Sequence, residues 1–567
     1  MSLPLSAGLV ADAGLPVTPV LSPDGRRIGY GRQPGGTLHV VTVGGPTRTV
    51  GEGRTPRWSA DSRHLFFLAG GELWRERADG GDRTSWPVAA RDFVPLADLA
   101  TVVVLSPDPG EPDPWVWSEA AGHDRLRLLD LRDGTVTTPD VFSGRHVAEV
   151  AERPGGGPLA VLTQESADPD PGELAPRLHL FHPATGQVHD LGRTAAAAHS
   201  LTWWAAADGW HLLYLATTPP GLAGGNAVLD VALTGEHACP TPVSRGSNPA
   251  HRNLTEGLPF CPVDLAGGGL MLAAHGLDSA LHRLDPATGR FTELRRLRGQ
   301  AVRLSAAADG ATVALARSEA HEPRSVFAGP AEPTGPADGP LVRQSDTAPE
   351  LRAVAWGRQE RLAYRAADGL NLDGLLVLPP GKTRADGPFS LVTFLHGGPY
   401  GRWADQLLLQ THEPAQWLAA DGHAVFLPNP RGGQGHGHAF AAAGTVGQEE
   451  WQDVLTGLDL LIEQGVADPG RLGIGWEGAG PHPHDERSPI SYAARITTPV
   501  LIVHGAEDAN VPLGQAVFLH RALRRFGVEH EFVVYPREGH TIAERAHRVD
   551  LLRRTREWFR RLNPGRS

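Results

Sequence analysis

Cysteine, lysine and long apolar runs are scarce in this chain of 567 residues. Two cysteines, Cys239 and Cys261, cannot build a disulfide framework, so a reducing compartment is expected. No stretch approaches the roughly 18 uninterrupted apolar residues that a membrane-crossing helix requires. The opening MSLPLSAGLVADAG has neither a basic n-region nor a long apolar core. The expectation is a cytoplasmic protein with no leader and no membrane partner. Lysine occurs once, at Lys382, and coding bias accounts for the replacement of the rest by arginine. A formal net charge of −12 without any polybasic run argues against nucleic acid as a partner.

Glycine and proline, by contrast, are plentiful, at 69 and 49 residues, and they punctuate short apolar runs along the whole chain. That distribution marks turns rather than disorder. From about residue 17 to 348 a turn–strand–turn–strand unit recurs, as in VLSPDGRRIGYG, RWSADSRHLFFLA and LSAAADGATVALARS. S-P-D-G and A-A-D-G suit tight hairpin turns, because Asp and Gly tolerate the backbone angles there. The flanks alternate apolar and polar, as half-buried strands do. Units begin near residues 17, 54, 95, 148, 195, 251 and 300. A period of about 40 to 50 residues with about four strands each predicts a β-propeller of about seven blades. A β-sandwich or a long β-solenoid is the alternative. Trp203 and Trp204, like Trp115 and Trp117, read as core between blades rather than as a ligand platform.

After residue 350 strands alternate with helices, which predicts a mostly parallel sheet with its chemistry at the carboxyl ends of the strands. Buried strands are expected at SLVTFLHGG, GHAVFLPNP, RLGIGW, PVLIVHGAED and EFVVYP, and amphipathic helices at 449–465, 513–527 and 543–562. The expected division is a propeller domain over 1–350 and an α/β-hydrolase domain over 351–567.

A propeller followed by LHGGP, N-x-RG-x-x-G-x-G, HG-x-x-D-x-x-VP and P-x-EGH resembles the prolyl oligopeptidase family of serine peptidases, in particular its acylaminoacyl-peptidase-like branch. The resemblance implies hydrolysis of short peptides or acyl-peptides, without a cofactor or a metal. It makes Asp508 the acid and His540 the base of a triad, and it makes the backbone N–H groups of Gly397 and Gly398 oxyanion donors. Asn429 and Arg431 match a loop that supports the rim of such a site and read as structural.

One part of the pattern is missing. The strand RLGI should run into G-x-S-x-G, where a strained turn raises a serine over the sheet. Gly478 stands at the matching position and offers no side chain to acylate. Only 20 residues separate Gly478 from Pro499, and Pro481, Pro483 and Pro489 are among them. A further β–α–β crossover needs about 30 residues. One sheet strand and the helix behind the elbow are therefore expected to be missing, and the apolar surface they would cover is expected to be exposed or repacked. Ser488 and Ser491 read as turn residues. Glu477 could imitate a carboxylate nucleophile, but its elbow lacks the final glycine. His482, His484 and Asp485 offer a weak metal-ligand pattern for which a solvated loop is the simpler reading. A non-catalytic pseudoenzyme that binds peptides or a protein partner through the propeller is the alternative to a peptidase.

Overall fold

Seven four-stranded antiparallel sheets follow one another along the first part of the chain, each built from consecutive strands. The computed structural model describes residues 4–107, 122–167, 176–218, 225–233, 251–333, 340–346, 348–397, 401–409, 414–444, 448–476 and 489–562. The sheets span 15–52, 54–86, 92–137, 146–193, 196–253, 261–297 and 300–343 and form the blades of a propeller. The first strands of neighbouring blades contact one another, which places them around the central axis. The turn chemistry repeats as the sequence implies. Ser22 Oγ donates to Asp24 Oδ1 at 2.6 Å in the first blade, and Ser59 Oγ donates to Asp61 Oδ1 at 2.6 Å in the second.

Among the described residues no strand is shared between the first and last blades. They close on each other through a common core of Leu21, Ile28, Tyr30, Val41, Ala307, Ala314, Val326 and Ala328. The Leu21 N–H also donates to Ser305 Oγ at 2.9 Å. Trp203 and Trp204 are buried in adjoining inter-blade clusters, as expected of them. Trp115 and Trp117 lie outside the described residues. The sixth blade begins at Cys261 rather than near 251, because His251–Asn253 pairs as the outermost strand of the fifth. The Pro/Gly-rich tract from 322 supplies the third strand of the seventh blade, Glu322–Pro330.

Among the described residues the second part contains seven strands: β1 (Gln359–Arg365), β2 (Asn371–Val377), β3 (Phe389–Leu395), β4 (Ala424–Asn429), β5 (Ala467–Trp476), β6 (Val500–Gly505) and β7 (His530–Tyr535). The first five form one sheet in the order β1-β2-β4-β3-β5. β1, β2 and β4 pair antiparallel, whereas β4–β3 and β3–β5 pair parallel. β6 and β7 pair parallel in a separate two-stranded sheet. The sheet is thus interrupted between β5 and β6, where a crossover strand was expected to be missing.

Apolar side chains of β5 are exposed beside this interruption. Leu472 and Ile474 of β5 share a face and are 37% and 48% exposed. A two-residue period puts both on one side of the strand. Among the described residues no α-helix stands between Trp476 and Val500; Pro489–Arg495 forms only a 3₁₀ segment. Eight of the eleven exposed large apolar side chains among the described residues fall in the α/β part, including Phe518 at 63%. Exposure, rather than repacking, is the outcome for this face.

The two parts interlock. Helix α1 (Ala7–Asp12) precedes the first blade, yet Ala7 and Val10 pack with Trp417 and with Leu552 of α4 (Arg545–Leu562). The hairpin turn of the sixth blade sends Leu277 into the core formed by Leu375, Val392, Phe394, Trp403 and Leu427. Beside it the half-buried Arg402 guanidinium donates to the carbonyls of Gly276 and Asp278. Arg361 bridges Asp278 and Asp405, at 2.6 and 2.7 Å.

Candidate active site

Two neighbouring parallel strands bring Asp508 and His540 together. β6 ends at Gly505 and β7 at Tyr535, and each runs into a loop at its carboxyl end. The loops are laced to each other: the Ala506 N–H donates to the Tyr535 carbonyl at 2.9 Å, and the Glu507 N–H donates to the Glu538 carbonyl at 2.8 Å. His540 Nδ1 lies 3.0 Å from Asp508 Oδ2. The acid is almost buried, at 5% side-chain exposure, whereas the imidazole is 38% exposed. A carboxylate can only accept, so the imidazole proton sits on Nδ1, and Nε2 is left free to take a proton from a substrate or a nucleophile.

Asp508 is held as an anion. Its Oδ1 accepts from the backbone N–H groups of Asn510 and Val511, both at 2.9 Å. Burial works to raise its carboxyl, but the Val511 N–H, His540 and the Asn510 N–H outweigh it, and the group lies below the ordinary 3.8. An acid lowered in this way stabilises the fold fully above its unfolded value. That contribution fades as pH falls from 3.8 through the folded value. Asp508→Asn should therefore lower stability at neutral pH and make the acid limb of a melting-temperature profile below pH 3.8 shallower. A profile with an unchanged acid limb would contradict this account.

The loop bearing His540 is braced by Glu538, which is 2% exposed. Its carboxylate accepts from the N–H groups of Ala543 and Glu544 at 2.7 and 2.9 Å, just ahead of α4, and contacts His547 Nδ1 at 2.7 Å. Arg537 takes up the sharp turn with φ of 62°. Gly505 allows the close approach of this loop, since a Cβ there would sit 2.1 Å from the Gly539 carbonyl oxygen. Glu538 and Gly505 stand inside the P-x-EGH and HG-x-x-D motifs, but the motifs alone assign neither a role. The signals available were an acid directly before Gly-His and a glycine closing an apolar strand.

Gly397 lies at the carboxyl end of β3, next to β5 in the sheet. Gly398, its expected partner as oxyanion donor, lies outside the described residues, and so do Gly478, Glu477, His482, His484, Asp485 and Ser488. Ser491 is described, and it lies exposed in the 3₁₀ segment. Burial pushes the His396 imidazole down to about 4, so it is neutral at pH 7.

Asn429 and Arg431 act structurally. Asn429 accepts from the Trp403 N–H at 2.7 Å and donates to Asp373 at 2.7 Å and to the Trp403 carbonyl at 3.0 Å. Arg431 joins the loop after β4 to Asp453 of helix α2 (Glu449–Glu463) and to Asp368. Among the described residues one group has metal-ligand spacing, Glu538, Glu544 and His547. The Glu538 oxygens there already accept backbone N–H groups, which accounts for the cluster without an ion.

The prolyl oligopeptidase family model matches residues 410–480 and 475–564. The chain is 28% identical over 257 residues to an uncharacterized peptidase, YuxL, of Bacillus subtilis (strain 168), covering 35% of this chain and 38% of that protein. It is 24% identical over 250 residues to the acylamino-acid-releasing enzyme of Sus scrofa, covering 33% of each. The acylaminoacyl peptidase of Pyrococcus horikoshii superposes with a TM-score of 0.78 at 14% identity, covering 100% of this chain and 98% of that one. The part of the chain over 410–564 matches the prolyl oligopeptidase family, and the likeness of the whole chain to the Pyrococcus structure is one of fold. The chain's matched region spans about a third of the length of these curated relatives. The structural likeness extends over both parts, so the propeller and the interrupted α/β-hydrolase part together have the fold of that structure.

Proposed function

We propose that this protein is a peptide-binding member of the prolyl oligopeptidase family that no longer hydrolyses through the serine of its motif. The observation that carries the reading is Gly478 at the sequence position of the nucleophile. Three further features support it. The family model matches in two segments that meet at 475–480. The sheet is interrupted between β5 and β6. Leu472 and Ile474 stand uncovered beside the interruption. The ligand is a short peptide or acyl-peptide, held between the propeller and the loops that carry Asp508 and His540. The scarcity of cysteine supports placing this function in the cytoplasm.

The Asp508–His540 geometry favours a second reading, hydrolysis of short peptides or acyl-peptides. In that case Ser488 or Ser491 would attack the carbonyl, His540 would take the hydroxyl proton on Nε2, and Asp508 would hold the resulting imidazolium. The N–H groups of Gly397 and Gly398 would bind the oxyanion.

A serine-reactive fluorophosphonate probe and a fluorescent N-acetylated tripeptide, each applied to the purified full chain, separate the two. The proposal expects no heat-sensitive labelling together with saturable peptide binding. Labelling that heating abolishes, and that Ser488→Ala or Ser491→Ala removes, would establish the hydrolase. Silence with the probe and no binding would sink the peptide-binding reading.

A further inference from the structure

Asp508 Oδ2 lies between two imidazoles. His540 Nδ1 is 3.0 Å away, and on the other side His504 Nε2 is 3.5 Å away. His504 is the next-to-last residue of β6, and its side chain is only 11% exposed. Its Nε2 is 2.8 Å from the Val511 carbonyl oxygen. A carbonyl only accepts, so His504 carries its proton on Nε2. At 3.5 Å the same N–H makes a weak bond at best with Asp508, and the strong bond goes to Val511.

Val511 is the point at which this matters. Its N–H donates to Asp508 Oδ1 at 2.9 Å, while its carbonyl is tied to His504. The turn 508–511 is therefore anchored from both ends of one residue. His504 fixes where Val511 sits, Val511 fixes Oδ1, and the remaining oxygen, Oδ2, is left facing His540. Without His504 the turn keeps its Asx bonds from Asn510 and Val511 but loses its only side-chain tie to the strand among the bonds described.

We propose that His504 is a positioning residue for the Asp508–His540 pair, acting through the Val511 carbonyl to aim Asp508 Oδ2 at the imidazole. This rests on the reading of Asp508 and His540 as an acid–base pair, but it does not require a nucleophile. It can therefore be tested on the chain as it stands.

The test uses full-length protein labelled with ¹⁵N in histidine. The ring ¹⁵N shifts of His540 report which nitrogen carries the proton, and a far-downfield proton resonance reports the Nδ1–H bond to Asp508. Wild type is expected to show both signatures. His504→Gln, whose amide N–H replaces that of Nε2, should retain them. His504→Leu should lose the downfield resonance and show a mixture of tautomers. If that variant does not fold, His504→Asn, which is polar but too short to reach Val511, should show the same loss. Both signatures persisting in a folded leucine or asparagine variant, with only the melting temperature lowered, would reduce His504 to a packing residue and overturn the proposal. Asp508→Asn is the control for the underlying pair: if it leaves the His540 signatures intact, the acid–base reading itself fails, whatever His504 does.

Discussion

Arg431→Met is expected to destabilise the protein by about 3–5 kcal/mol, the range for breaking a buried ion pair by removing one partner. Arg431 is 9% exposed and Asp453 is 1% exposed. Two guanidinium bonds, each at 2.8 Å, and the Arg431 backbone N–H at 3.0 Å satisfy that carboxylate. Methionine fills similar volume but leaves an anion facing apolar surface with one N–H. The Asp368 half of the network contributes little, because that carboxylate is 56% exposed. The double variant Arg431→Met/Asp453→Leu removes the orphaned charge and should recover most of the loss. Denaturant unfolding of the three proteins decides the matter. A single variant that loses less than about 1 kcal/mol would show that Asp453 finds water or is protonated in the native state.

Gly505→Ala should cost about 3 kcal/mol, the upper part of the range for overpacking a dense site. The added Cβ would sit 2.1 Å from the Gly539 oxygen and 2.4 Å from the Glu538 oxygen. Both are backbone atoms, and Glu538 is pinned by two N–H bonds and by His547, so the loop cannot yield cheaply. The strain should be relieved by pushing the 538–540 segment away from β6, which separates His540 from Asp508. Thermal melting should therefore fall together with the downfield His540 resonance. Gly514→Ala is the matched control. It lies in helix α3 (Leu513–Arg525) with open space around it, and it should be neutral or stabilising by up to about 1 kcal/mol. Equal behaviour of the two variants would refute the close-approach argument.

These two positions show what the sequence made legible and what it did not. Seven blades could be read from hairpin turns because Asp-Gly chemistry is local, and the repeat starts fall close to the observed strands in six of the seven. The sixth start was misplaced because His251–Asn253 is a strand, and only its pairing reveals that it is the last of the fifth blade. Asp508 and His540 were legible through the motifs around them. Gly505, Glu538 and His504 belong to the same motifs, but their roles were not legible, since these depend on two loops distant in sequence approaching within van der Waals contact. The missing crossover could be inferred by counting residues, but which side chains its absence uncovers required the register of β5 against β3.

Leu277 carries a consequence for how the molecule unfolds. It belongs to a propeller hairpin, yet it sits inside the hydrophobic core of the other domain, and α1 adds a second such exchange at the N-terminal end. Two bodies that share core residues cannot lose them separately. The propeller and the α/β part should therefore melt in one cooperative transition rather than two. A chain divided at residue 350 would leave a leucine-sized cavity on one side of the cut and an exposed apolar turn on the other.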